Sequence, residues 1–324
     1  MKKTLLNLAV LGALSVSAQA FAAGALSALS DAPAGSAYIN CFNTNRTVAD
    51  PRNNFGQNPG AVTNGACEIT GLANDSTSPK TGYALVASAS RVVPTVTGGA
   101  GNIGSVTERV WRKPAATAPA TPTDMCIFGA KVALISADHD AGTAGTQLFE
   151  VNDLVRAGFS TSGSVNVGYF LGAANASPVY RVGRTYTSVQ HRALKWGNAT
   201  DRKVNGTNYV DLPTIGGVNT LDFNGEATGI DGVTTATTTA AKQQAAVYSR
   251  FVDFTTDVNF SDTDGGELNP VSPMTYVEAA CNSTAPAGWV QSNVIRLRQT
   301  GQELATFKEI SVSGYAPPGA VVTP

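Results

Sequence analysis

The stretch Val106-Thr-Glu-Arg-Val-Trp111 mixes β-branched and aromatic side chains with polar ones over six residues, the composition that suits a pleated, half-buried strand. It is one of a series. Comparable runs are Ala37-Tyr-Ile-Asn-Cys-Phe42, Tyr83-Ala-Leu-Val-Ala87, Met125-Cys-Ile-Phe128, Val132-Ala-Leu-Ile135, Val165-Asn-Val-Gly-Tyr-Phe170 and Val294-Ile-Arg-Leu-Arg298. Turn signals stand between them at Asn64-Gly65, Asn205-Gly206, Asn224-Gly225 and Thr300-Gly301. Short strands punctuated in this way predict an all-β chain, an antiparallel sandwich or jelly-roll-like architecture with long loops and few short helices. The best helical stretches are Asn152 to Ala157, with Asn152 as N-cap, and Ala240 to Tyr248; both are short enough to be accessory turns.

The amino terminus has the form of a secretory signal peptide over residues 1–22. Lys2 and Lys3 precede an apolar run from Leu5 to about Ala18, and Ala18-Gln19-Ala20 and Ala20-Phe21-Ala22 offer cleavage sites. Asn7 and Gly12 interrupt a run already too short to span a bilayer, and no second long apolar segment follows. The expectation is a secreted protein of the cell surface or extracellular space, or of a periplasm, with no transmembrane segment in the mature chain. A membrane barrel is disfavoured by the proline-rich end Tyr315-Ala-Pro-Pro318, since proline cannot donate to a closing strand.

Charged residues make up 14% of the chain, and without Lys2 and Lys3 the balance is 20 basic against 23 acidic residues, a net charge of −3. So weak a field offers no footprint for nucleic acid or an anionic membrane surface, while a neutral glycan or small surface ligand stays compatible. The four cysteines contain no Cys-x-x-Cys; in an exported chain they predict two disulfides. Cys41 with Cys67 is favoured because it closes a short local loop, which leaves Cys126 with Cys281. The stretch 113–124, with three prolines and no bulky apolar residue, reads as a linker or exposed loop between β-rich regions 23–112 and 125–324. The sequence leaves open whether those regions form two domains or one.

Four stretches bear on function. Ala137-Asp-His-Asp-Ala-Gly142 sets Asp138 and Asp140 around His139; on a turn the two aspartates could offer oxygens to calcium, and the competing reading is a solvated loop whose carboxylates bond turn amides. Asp257, Asn259, Asp262, Asp264 and Glu267 cluster around two glycines, a second calcium candidate whose spacing departs from the EF-hand. Between Tyr180 and Trp196, an extended chain would align Arg184, Tyr186, Gln190 and Arg192 on one face, fit to bind a carbohydrate or another subunit, or to form a polar cross-strand ladder. Last, Val294–Arg298 and Thr306–Ser313 read as a hairpin around Thr300-Gly301. Ile295 and Leu297 would meet Ile310 and Val312 there, and the hairpin is the expected edge for self-association. Leu26 and Leu29, three apart, suit a helical turn or a frayed terminus better than a strand.

No nucleophile elbow, zinc-protease helix or phosphate loop occurs. The sequence therefore favours an exported structural protein of a cell surface or extracellular matrix, self-assembling, over a secreted glycan- or surface-binding adhesin module and over an extracellular hydrolase. Calcium is the one cofactor expected.

Overall fold

The protein is described by a computed structural model covering residues 26–30, 38–41, 67–96, 101–113, 123–159, 164–172, 176–177, 179, 181–184, 214–215, 246–247, 250–260, 268–299, 308–319 and 321–322. The strands in chain order are β1 (Ser27–Ser30), β2 (Tyr38–Asn40), β3 (Ala84–Pro94), β4 (Asn102–Lys113), β5 (Met125–Leu134), β6 (Val151–Ala157) and β7 (Ser164–Phe170). They continue with β8 (Arg181–Gly183), β9 (Thr214–Ile215), β10 (Ala246–Val247), β11 (Phe251–Val258), β12 (Met274–Ala280), β13 (Val290–Gln299) and β14 (Lys308–Tyr315). Two six-stranded sheets result, in the orders β1-β7-β12-β5-β4-β3 and β14-β13-β6-β11-β8-β2, while β9 and β10 form a separate two-stranded pair. Within the two large sheets every pairing is antiparallel. The all-β sandwich reading of the sequence is thus the observed fold.

Alternation explains how the first sheet faces its partner. Along β4 and β5, Val106, Val110, Phe128, Ala130 and Val132 are buried in the main core, and Cys126 leads the same inward row. From the second sheet Leu154, Phe254, Ile295 and Leu297 join that core. Phe128 meets Phe159 edge-on at 5.6 Å and Trp289 at 6.2 Å, so this ring anchors both the end of β6 and the 3-10 turn Pro286–Trp289. Truncating a ring so placed costs about 3–5 kcal/mol.

Part of the outer face of the first sheet is also covered, and this decides what the amino terminus does. Residues 67–83 run across it, where Ile69 and Tyr83 pack with Trp111, Ile127, Met274 and Tyr276 in a second apolar cluster. The indole of Trp111 donates to the Ser76 carbonyl at 3.2 Å and stands 5.6 Å from the Tyr276 ring. Gly129 makes room for this layer, since a Cβ there would lie 2.8 Å from Trp111 Cζ3 and 3.0 Å from Met274 Sδ. Because this sheet is covered on both faces around β7 and β12, Leu26 and Leu29 can point opposite ways and each find apolar neighbours. Leu29 joins the main core and Leu26 the outer cluster, so residues 27–30 form a strand on β7 rather than the expected helical turn.

A second correction concerns Asn152 to Ala157. The segment is β6, paired on one side with β11 and on the other with β13, and every residue in it is buried. Burial on both faces erases the period of two, and Asn152, Asp153 and Arg156 imitate the polar side of a short helix. Of Ala240 to Tyr248, the described part is the two-residue strand β10; the rest lies outside the described residues.

Two disulfides join Cys41 to Cys67 and Cys126 to Cys281, the expected pairing, and no described cysteine is free. The second bond ties the start of β5 to the residue after β12, two strands already paired in register. β4 and β5 are themselves neighbours over ten positions, from Gly104 opposite Leu134 to Lys113 opposite Met125. The proline-rich stretch between them therefore connects adjacent strands of one sheet. Among the described residues no helix is long and apolar enough to cross a membrane.

Candidate functional site

Three features of the sandwich carry charge or open backbone where apolar packing alone would not require it. The first is a carboxylate in the outer layer. In Met274-Thr-Tyr-Val-Glu278 alternation sets Met274, Tyr276 and Glu278 on the covered outer face of β12. Glu278 is 2% exposed and stands directly opposite Asn166 on β7 and Ile127 on β5. Its Oε2 accepts from Asn166 Nδ2 at 2.8 Å and from Lys80 Nζ at 2.9 Å. Its Oε1 accepts from Lys80 Nζ at 2.8 Å and from the Tyr83 hydroxyl. Burial pushes this carboxyl up, but the donations from Lys80, Tyr83 and Asn166 outweigh it and hold the group below the usual carboxylate range. The Tyr83 hydroxyl is driven the other way, upward, by its own burial and by the neighbouring negative charge.

The second feature closes the corner of the sandwich inside. Glu108 points inward from β4 and is fully buried. It accepts from Arg91 Nε of β3 and, at 2.7 Å, from the Tyr315 backbone N–H of β14. Arg156, buried on β6, lies 3.9 Å from Glu108 and donates to the carbonyls of Phe128 and Tyr315. Burial draws its pKa down to about 10, which leaves it charged at neutral pH. A Cβ on Gly314 would sit 2.6 Å from Ile295 Cδ1 and 2.7 Å from Glu108 Oε1, so only glycine fits beside this clasp. The arrangement joins two strands of each sheet, β3 and β4 to β6 and β14, through buried charge, and it is structural in its chemistry.

The third feature is the free edge of β3. The strand is eleven residues long, Ala84-Leu-Val-Ala-Ser-Ala-Ser-Arg-Val-Val-Pro94, and among the described residues it pairs only with β4. Its one charge, Arg91, turns inward to Glu108 and lies 5.1 Å from the Tyr315 ring. Leu85, Val86 and Val92 are exposed, at 44%, 40% and 63%.

The residues singled out by sequence distribute differently. Asp138 and Asp140 hold a loop together: Asp138 Oδ1 accepts from the amides of Asp140 and Gln147, and Asp140 accepts from the Gly142 amide and the Thr143 hydroxyl. The Thr143 hydroxyl, first among several donors and charges, holds Asp140 below its ordinary range, and Lys308 stands 3.6 Å away. His139 is buried edge-on against Phe149 at 5.3 Å. Asp257 and Asn259 are engaged with each other, Asn259 Nδ2 donating to Asp257 Oδ1 at 3.1 Å, while Asn259 Oδ1 accepts from the Asn269 amide. Asp262, Asp264 and Glu267 lie outside the described residues. Arg184 is buried beyond β8 and donates to the Phe159 carbonyl at 3.2 Å; Tyr186, Gln190 and Arg192 lie outside the described residues. Among the described residues no group of three or more His, Cys, Asp or Glu side chains is placed to hold a metal.

Fold and site together define, among the described residues, a two-sheet antiparallel β-sandwich with two disulfides, a partly layered outer face and a long open edge at β3. No protein-family model matches the chain, and no curated protein or solved structure matches it.

Proposed function

We propose that this chain is an exported structural component of a cell surface or extracellular matrix, and that it assembles by adding strands at the edge of the sandwich. The observation behind this reading is β3. An edge strand of eleven residues with no outward charge and three exposed apolar side chains is what soluble sandwiches avoid, because it templates pairing with another chain. A protein whose task is to polymerise has a use for it. The leader-like amino terminus and two disulfides suit an oxidising destination. Sedimentation of the purified mature chain over a range of concentrations, with electron microscopy of the fast-sedimenting fraction, tests the proposal. Regular oligomers or filaments that grow with concentration are expected; a monomer at every concentration contradicts it.

A further inference from the structure

We propose that Lys80 and Asn166 become joined by an isopeptide bond, which the chain forms on itself with Glu278 as proton carrier. The amine and the carboxamide come from distant parts of the sequence and are hydrogen-bonded to the same carboxylate oxygen, Oε2 of Glu278. That oxygen holds the nucleophile and the leaving group side by side, and such positioning replaces an improbable encounter with a local one. Lys80 reaches in from the rim, its side chain 46% exposed, while Glu278 is almost wholly enclosed. A shared proton carrier, itself enclosed, therefore lies within hydrogen-bond reach of both nitrogens. Tyr83 fixes the second carboxylate oxygen and acts as a positioning residue.

The chemistry balances without an oxidant or a co-reactant. Glu278 takes one proton from the Lys80 ammonium, and the neutral Nζ attacks Cγ of Asn166. Glu278 then passes its proton to Nδ2 and receives the second proton of the attacking nitrogen. The Cγ–Nδ2 bond breaks as the Nζ–Cγ amide is completed. Ammonia departs with the remaining proton as ammonium, and Glu278 returns to its carboxylate. The product ties the segment that covers the outer face to β7, which runs beside β12 in the same sheet. For a chain exposed to proteases and tension outside the cell, such a staple adds to the two disulfides a link that reductant does not open.

The test is peptide mapping of the full chain as exported, after reduction of the disulfides. The expected mass is about 17 Da below that of the mature sequence, the loss of one ammonia, with trypsin failing to cut after Lys80 and a peptide containing Lys80 joined to one containing Asn166. Lys80→Arg keeps the ion pair with Glu278 but removes the nucleophile, and is expected at full mass; Glu278→Gln, where it folds, is expected to be unlinked as well. Full mass in the unaltered chain, with free cleavage after Lys80, overturns the proposal. A loss of ammonia mapping to any other asparagine overturns it too. Linkage undiminished in Glu278→Gln would remove the role of Glu278.

Discussion

Strands β3 and β14 stand at the same corner of the sandwich, one ending each sheet, and they share the clasp formed by Glu108, Arg91 and Tyr315. Toward the interior the two are equivalent: each surrenders a polar group to one buried carboxylate. Toward solvent they differ. β14 opens with Lys308 and Glu309, the latter paired with Arg296 at 3.1 Å and Arg298 at 2.8 Å, and its later exposed positions are Ser311 and Ser313. β3 shows Leu85, Val86, Ser88, Ser90 and Val92. Among the described residues charges guard the one rim and none guards the other, so an incoming strand would lose little solvation at β3 and more at β14. Corner closure and edge protection are thus separate properties, set by inward and outward side chains of the same two strands.

The largest effect is expected from breaking what the two strands share. Glu108→Ala leaves Arg156 buried beside an empty position and deprives the Tyr315 amide of its acceptor, so a loss of about 3–5 kcal/mol is expected in chemical denaturation. Gly314→Ala attacks the same clasp by crowding, with Ile295 and Glu108 both closer than van der Waals contact, and is expected to cost about 1–3 kcal/mol. Neither change distinguishes the two rims.

How much of this corner the sequence discloses follows from the periodicity. The β13–β14 pairing was legible, because Ile295 does face Val312 and Leu297 does face Ile310, and Arg296 and Arg298 alternate with the two apolar residues along β13. β6 was not, since burial on both sides removes alternation, and neither was β1, because an outer layer formed by residues 67–83 gave Leu26 a second apolar face. Strand Tyr83–Ala87 was expected to be short, yet β3 extends to Pro94; its small residues Ala87, Ser88, Ala89 and Ser90 give little hydrophobic signal. For Glu278 the clue was present, a carboxylate at the third step of the apolar row Met274, Tyr276. Lys80 and Asn166 carried none, because only the fold brings them to it. The His139 loop shows the converse: a stretch that looks like chemistry spends its aspartates on turn amides.

A smaller effect is expected from that loop, which touches β14 through Lys308 and Asp140 and the chain just after β3 through the Val96 amide and the His139 carbonyl. Burial, opposed mainly by Asp140, lowers the His139 pKa below its ordinary 6.5. The unfolded chain takes up this proton at higher pH than the folded chain does. Stability is therefore fully present above 6.5 and falls as pH drops through 6.5 and on toward the folded pKa. Denaturation midpoints between about pH 7 and pH 5 should decline less in His139→Gln than in the unaltered protein.

The rims are separated most directly by lysine substitutions on each. Val86→Lys with Val92→Lys places two charges on the open edge of β3, and Ser313→Lys places one on β14, all at exposed positions where folding stability should change by no more than about 0.5 kcal/mol. Sedimentation of the three proteins at one high concentration, with melting temperatures in parallel, is the measurement. Assembly by the unaltered chain and by Ser313→Lys, with the β3 double variant folded but monomeric, is the result predicted here; assembly that survives in the β3 variant and fails in Ser313→Lys would contradict it.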